Sequence, residues 1–107
     1  MLLKQVVYKN SNLNKMSEQD LINIIDLLEY PDTHISLKNL GILSYLKIEE
    51  GKVTAIFALP DLKMDNRKDI ANSVRIMAES FGYKFEYDFR KMSDEELENF
   101  NHVLKTI

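Results

Sequence analysis

The feature that most constrains this chain is a pair of strand-like segments with one helix-like segment between them. Val53 to Leu59, VTAIFAL, is almost continuously apolar, as a strand covered on both faces is. Tyr83 to Phe89 alternates strictly, with Tyr83, Phe85, Tyr87 and Phe89 against Lys84, Glu86 and Asp88, the pattern of a strand with one buried face. Between them, over residues 66–81, Ile70, Val74, Met77 and Phe81 fall on one helical stripe, supported by Ala71 and Ala78. A strand, a helix and a strand in that order permit a parallel pair joined by a right-handed crossover. The punctuation agrees. Pro60 cannot donate to a ladder and ends the first strand, Asp65 or Asn66 is placed to cap the helix, and Gly82 suits its C′ position.

The rest of the chain adds to that unit. Leu43 to Glu49, LSYLKIE, alternates and meets Val53–Leu59 across Glu50-Gly51, a turn in which glycine takes positive φ. That pair is an antiparallel hairpin, so the sheet is mixed. Before it, Ser17 is a natural N-cap and Met16 can staple onto Leu21. Leu21, Ile24, Ile25 and Leu28 then follow helical spacing, and Pro31 predicts a stop near Tyr30. After the last strand, Ser93 and Glu96 form a capping box, Met92 can staple to Leu97, and Leu97, Phe100 and Leu104 make the buried side. The starts at Lys15 and Lys91 look alike, but their surroundings differ, so the same capping chemistry is used twice without a repeat. Residues 1–10 allow a short strand, with Val6 and Tyr8 on one side and Val7 on the other, and NSNLN at 10–14 is turn-prone. The expected fold is α+β, a two-layer helix-strand-strand-helix-strand-helix order. It has a three-stranded mixed sheet with helices mainly on one face. One domain over 1–107 is expected, with 1–14 an extension or extra strand and 15–107 the domain proper.

A chain of 107 residues buries somewhat over ~60% of its unfolded surface. The hydrophobic share of 45% and charged share of 29% are those of a globular protein. A net charge of −3 gives no broad basic field for a phosphate backbone, so no nucleic-acid partner is expected. No apolar run approaches the ~18 residues of a membrane span, and MLLKQVVYKN lacks the features of a secretory signal. A cytoplasmic location is the default expectation. With no cysteine in the chain, a disulfide, a thiolate nucleophile and a cysteine-ligated cluster within one chain are all excluded.

Catalytic motifs are absent. Ser36, Ser44, Ser73 and Ser80 sit in no nucleophile-elbow sequence, no glycine-rich phosphate loop exists, and His102 has no partner at a recognisable spacing. The expectation is a protein that is not an enzyme. Asp32, Thr33 and His34 form a polar turn. They serve either local backbone bonding or contact with a partner or metal, although one histidine and one aspartate are too few for a closed metal site. The mixed-charge loop Asp61 to Asp69, DLKMDNRKD, is either a solvated loop with a helix cap or a partner surface presenting Leu62 and Met64. The aromatic stripe Tyr83–Phe89 reads as core packing, with base stacking the alternative that Glu86 and Asp88 oppose.

In order and spacing these motifs resemble the iron–sulfur cluster assembly domain family, long catalogued as domain of unknown function number fifty-nine. It includes the N-terminal domain of Mrp-type ATPases and the Suf-system and cytosolic iron–sulfur maturation proteins. Tyr30-Pro31-Asp32-Thr33 matches the family's Asp-Pro-Glu-like turn, and Ile35 to Leu43, ISLKNLGIL, its Leu-Gly stretch. Lys47 to Val53 matches its hairpin, and Met92 to Leu97 the acidic start of its last helix. The resemblance covers roughly Ser17 to Phe100. Many members carry a cysteine after the second strand as the proposed cluster ligand; here Met64 takes that place, and a thioether forms no thiolate.

The resemblance therefore implies a non-catalytic accessory domain without a cysteine-ligated cluster. It would bind a protein partner, an assembly ATPase or a client apoprotein, and a homodimer is open. The candidate partner-binding residues are Asp32, Thr33, His34, Asn39, Leu62, Met64, Asn66 and Arg67. The alternatives are a metal or cluster binder using Asp32, His34 and oxygen ligands, or an interaction module recruited to another pathway. No cofactor is expected; an iron–sulfur cluster enters only through the resemblance.

Overall fold

The computed structural model describes residues 17–106. The suggested strand over 1–10 and the Met16 staple lie outside the described residues. In chain order the elements are α1 (Glu18–Asp26), β1 (Leu43–Glu49), β2 (Lys52–Leu59), α2 (Arg67–Ser80), β3 (Lys84–Lys91) and α3 (Asp94–Leu104). The sheet order is β1-β2-β3, with β1 antiparallel and β3 parallel to β2. The expected α+β fold, with its mixed three-stranded sheet, is therefore present.

The hairpin closes on two residues, Glu50 and Gly51, with φ of 52° and 77°. Positive φ at both positions is the type I′ geometry whose twist suits the flanking strands. At the other end of β1 the register slips between Leu43 and Tyr45. The extra residue is Ser44, whose hydroxyl donates to the Ile56 carbonyl at 3.1 Å. The crossover ends as Gly82 predicts. Gly82 (φ 85°) donates to Glu79, and Tyr83 to Ala78, the paired bonds of a Schellman motif.

Strand alternation decides where the core sits. Val53, Ala55, Phe57 and Leu59 are fully buried, and in register with Val53, Ala55 and Phe57 stand Phe85, Tyr87 and Phe89 of β3. Phe57 meets Tyr87 and Phe89 with ring centroids 6.0 Å apart, in the offset and edge geometries aromatic pairs prefer. The stripe is thus core packing, although its rings stay partly exposed because β3 is an edge strand. From the helices, Leu21, Ile25, Ile70, Ala71, Val74, Ala78 and Phe100 fill the same core.

Three boundaries and one cap differ from the sequence expectation. Helix α1 stops at Asp26, not near Tyr30, because Tyr30 donates to Ile35 at 2.9 Å and Leu37 to Leu28 at 2.8 Å. That short antiparallel pairing, with a bridge between Glu29 and Ser36, takes the backbone groups a longer helix would use. Phe81 is 37% exposed; the helix closes at Ser80 and the C-cap residue turns off the buried stripe. Strand β3 runs on to Lys91, since Leu59 still offers a partner there. Asn66 occupies the N-cap position of α2 without a side-chain cap bond.

Both outer helices start on complete capping boxes. Ser17 pairs with Asp20 and Ser93 with Glu96, each hydroxyl accepting the N3 amide and each carboxylate accepting the cap amide. Glu96 has a second task. Arg90 Nη1 and Nη2 donate to its two oxygens at 2.8 and 2.7 Å. These bonds and the Ser93 N–H hold the Glu96 carboxyl down to about 2. The end of β3 is thereby clamped to the start of α3.

Candidate functional site

The turn after α1 is built from its backbone. Thr33 N–H donates to the Tyr30 carbonyl at 3.1 Å, with Pro31 second and Asp32 third at φ 65°. Proline followed by a positive-φ residue is the type II pattern, and aspartate tolerates that region better than most. Thr33 is spent locally: its hydroxyl donates to Tyr30 O at 2.9 Å and accepts from Ile35 N at 3.1 Å. His34 projects into solvent with its side chain 99% exposed, and Nδ1 lies 3.7 Å from Glu29 Oε1. A pair that exposed is worth about 0–1 kcal/mol. Ser36 then accepts from Asn39 N at 3.0 Å and opens a helical turn that buries Leu37 and Leu40 completely. Asn39 is left on the outside of that turn, exposed.

The loop after β2 is equally ordered by local bonds. Asp61 Oδ1 accepts from Lys63 N at 2.9 Å, an Asx turn, and Met64 N donates to Asp61 O at 3.2 Å. Met64 does not stand out as a contact residue. Its side chain is partly buried and packs on the core, while its carbonyl accepts from Arg67 Nη1 at 2.9 Å. The position that would hold a cysteine is thus turned inward, and the Arg67 guanidinium is folded over its backbone. Leu62 is the apolar residue this loop exposes, at 45%.

The two segments meet at one point. Asn66 Nδ2 donates to Tyr30 Oη at 3.4 Å across 36 positions of sequence. The Tyr30 ring in turn stands edge-on to Phe100, with centroids 6.0 Å apart and planes at 88°. Asn66 Oδ1 is buried without a hydrogen-bond partner among the described residues. Exchanging the amide's oxygen and nitrogen would let Tyr30 donate instead, but would orphan the NH2 group. One unsatisfied atom therefore remains in either orientation.

Of the predicted residues, Asn66 ties the loop to the turn, and Met64 and Arg67 shape the loop from inside. Thr33 shapes the turn, and Asp32, His34, Asn39 and Leu62 supply exposed surface. Tyr30 and Phe100 were assigned by sequence to a helix end and a core stripe. The signal for Tyr30 was its place just before Pro31, where helical geometry is disfavoured. Among the described residues, no three His, Cys, Asp or Glu side chains gather as metal ligands. No helix there is long and apolar enough to cross a membrane.

These features define a small α+β domain whose two connecting segments are joined into one surface by a tyrosine–asparagine bond. Among solved structures, it is similar to the crystal structure of a domain of unknown function, DUF59, from Bacillus anthracis. The TM-score is 0.63, with 13% identity over 84% of this chain and 92% of that one. At that identity the likeness is one of fold. No protein-family model matches the chain, and no curated protein matches it.

Proposed function

We propose that this chain is a non-catalytic partner-binding domain of the iron–sulfur assembly type, working without a cysteine-ligated cluster of its own. The observation that carries the reading is the Asn66–Tyr30 bond, which holds the loop after β2 against the turn after α1. Each segment alone is an ordinary connection. Joined, they hold exposed Leu62 on one segment and exposed Asp32, His34 and Asn39 on the other, on a scaffold that fixes both connections, the usual setting of a contact surface. The DUF59-like fold and the motif order from Tyr30 to Leu97 are the further support. The inward side chain of Met64 fits a domain that contacts an assembly ATPase or client apoprotein rather than one that carries the cluster.

The test is genetic and biochemical together. Deleting the gene is expected to lower the activity of cluster-containing enzymes in the host. The intact gene should restore it, and Leu62→Asp should not, although that protein unfolds at the wild-type temperature because Leu62 is already exposed. Full cluster-enzyme activity in the deletion strain, or full rescue by Leu62→Asp, overturns the reading.

A further inference from the structure

We infer that Asn66 is a two-position latch, which either ties the loop after β2 to Tyr30 or swings that loop free and caps α2. The role of the latch, control of the contact surface proposed above, rests on that reading. The two positions themselves rest on the geometry at residue 66. Asn66 stands at the N-cap of α2, and its carbonyl accepts the first helical bond, from Ile70 N–H at 3.1 Å. Its side chain caps nothing, and the reason lies in the backbone. The two working caps of this chain, Ser17 and Ser93, are extended, with ψ of 161° and 168°, the conformation a capping side chain needs. Asn66 has φ −85° and ψ 8°, the third position of a type I turn. That turn runs from Met64 to Arg67 and closes with Arg67 N–H on the Met64 carbonyl at 3.4 Å. Among the described residues, no acceptor meets the N–H groups of Lys68 and Asp69, which a capping asparagine would serve.

The observed position has a second shortfall. Asn66 Oδ1 is buried without a partner among the described residues, and the bond from Nδ2 to Tyr30 Oη, at 3.4 Å, is long for a hydrogen bond. Turning ψ at Asn66 to the extended value brings Oδ1 onto the first amides of α2, so one rotation satisfies the oxygen and supplies the cap. Helix α2 is fixed to the sheet by buried Ile70, Ala71, Val74 and Ala78, so the rotation moves the chain before it. Residues 61–65 swing away from Tyr30, Arg67 N–H leaves the Met64 carbonyl, and Met64 comes off the core. The closed position is held by Met64 packing, by Arg67 Nη1 on the Met64 carbonyl at 2.9 Å and by the Tyr30 bond. A helix cap, a buried unpaired acceptor and a hydrogen bond are contributions of similar size. They nearly balance, and the open form is a minor one of about 1–10%. A partner that needs Leu62 and the turn together binds the closed form and keeps it closed.

Saturation-transfer NMR on the full chain, with no partner present, tests this. The wild-type protein shows a minor form in which the Cα and Cβ shifts of Asn66 are those of extended backbone and the Lys68 and Asp69 amides are displaced. Tyr30→Phe, which removes the latch partner, raises that form about fivefold. Asn66→Ser, whose hydroxyl caps but is too short for Tyr30, takes the open form as its main one. Four results overturn the inference: no minor form in either wild type or Tyr30→Phe, a minor form with residue 66 not extended, a population that Tyr30→Phe leaves unchanged, or a folded Asn66→Ser protein that keeps the closed turn. Failure here leaves the contact surface standing, and a deletion strain with full cluster-enzyme activity removes the surface's role but not the latch.

Discussion

The clamp between β3 and α3 lends itself to a quantitative test through Glu96→Gln. Glutamine keeps an acceptor at N3, so the capping box survives and the change isolates the charge. Arg90's hydrogen bonds, followed by the Ser93 N–H, lower the Glu96 carboxyl from 4.5 to about 2. Unscreened, that drop corresponds to roughly 3 kcal/mol. The Arg90 and Glu96 side chains are 44% and 31% exposed, and solvent screening brings the contribution to about 1 kcal/mol. A group whose carboxyl is depressed on folding stabilises above its unfolded value and loses that stabilisation as pH falls through its folded value. Wild type should therefore exceed Glu96→Gln by about 1 kcal/mol at pH 6, or about 4–8 °C in Tm. The gap should close between pH 4.5 and pH 2. Urea unfolding followed by circular dichroism across that range measures it. A gap that is absent at pH 6, or that persists unchanged at pH 2, would refute the assignment.

Two further expectations follow from the core and the junction. Phe57→Ala removes the ring that Tyr87 and Phe89 pack on and should cost about 3–5 kcal/mol in urea unfolding; a loss below 1 kcal/mol would mean the site collapses freely. Tyr30→Phe keeps the edge contact with Phe100 and deletes the partner of Asn66 Nδ2, for a loss of about 1 kcal/mol. Its amide chemical-shift changes should reach residues 61–67, and changes confined to 28–36 would show that the two segments are not tied.

The sequence carried the signals that act locally. Ser93 with Glu96, Glu50-Gly51 and Gly82 each encode their turn or cap in a few adjacent residues, and each formed as read. The alternation of Tyr83–Phe89 revealed a strand because burial on one face is a period-two property. What stayed hidden depends on residues far apart in sequence. Nothing near Asp26 says that Leu28 and Tyr30 will pair with Leu37 and Ile35, and helical spacing continues past the true end. Asn66 reads as a helix cap because that is its common use, yet Tyr30 claims its amide from 36 positions away. Met64, offered by the sequence as one of two residues a partner surface would present, instead packs on the core, and nothing in the charged run around it signals that. The candidate surface was thus legible as two separate segments, and only the structure joins them.

The order in which the sheet's strands leave the ribosome follows from the crossover. Strands β1 and β2 meet across a two-residue turn, so their hairpin can close within microseconds of its synthesis. Strand β3 comes only after residues 60–83, roughly one to five seconds later at ~5–20 residues per second. During that interval the most apolar strand of the protein, Val53–Leu59, has one side without a mate. A nascent chain stalled there is exposed to misassembly, and α2, emerging first, is the element positioned to shield it.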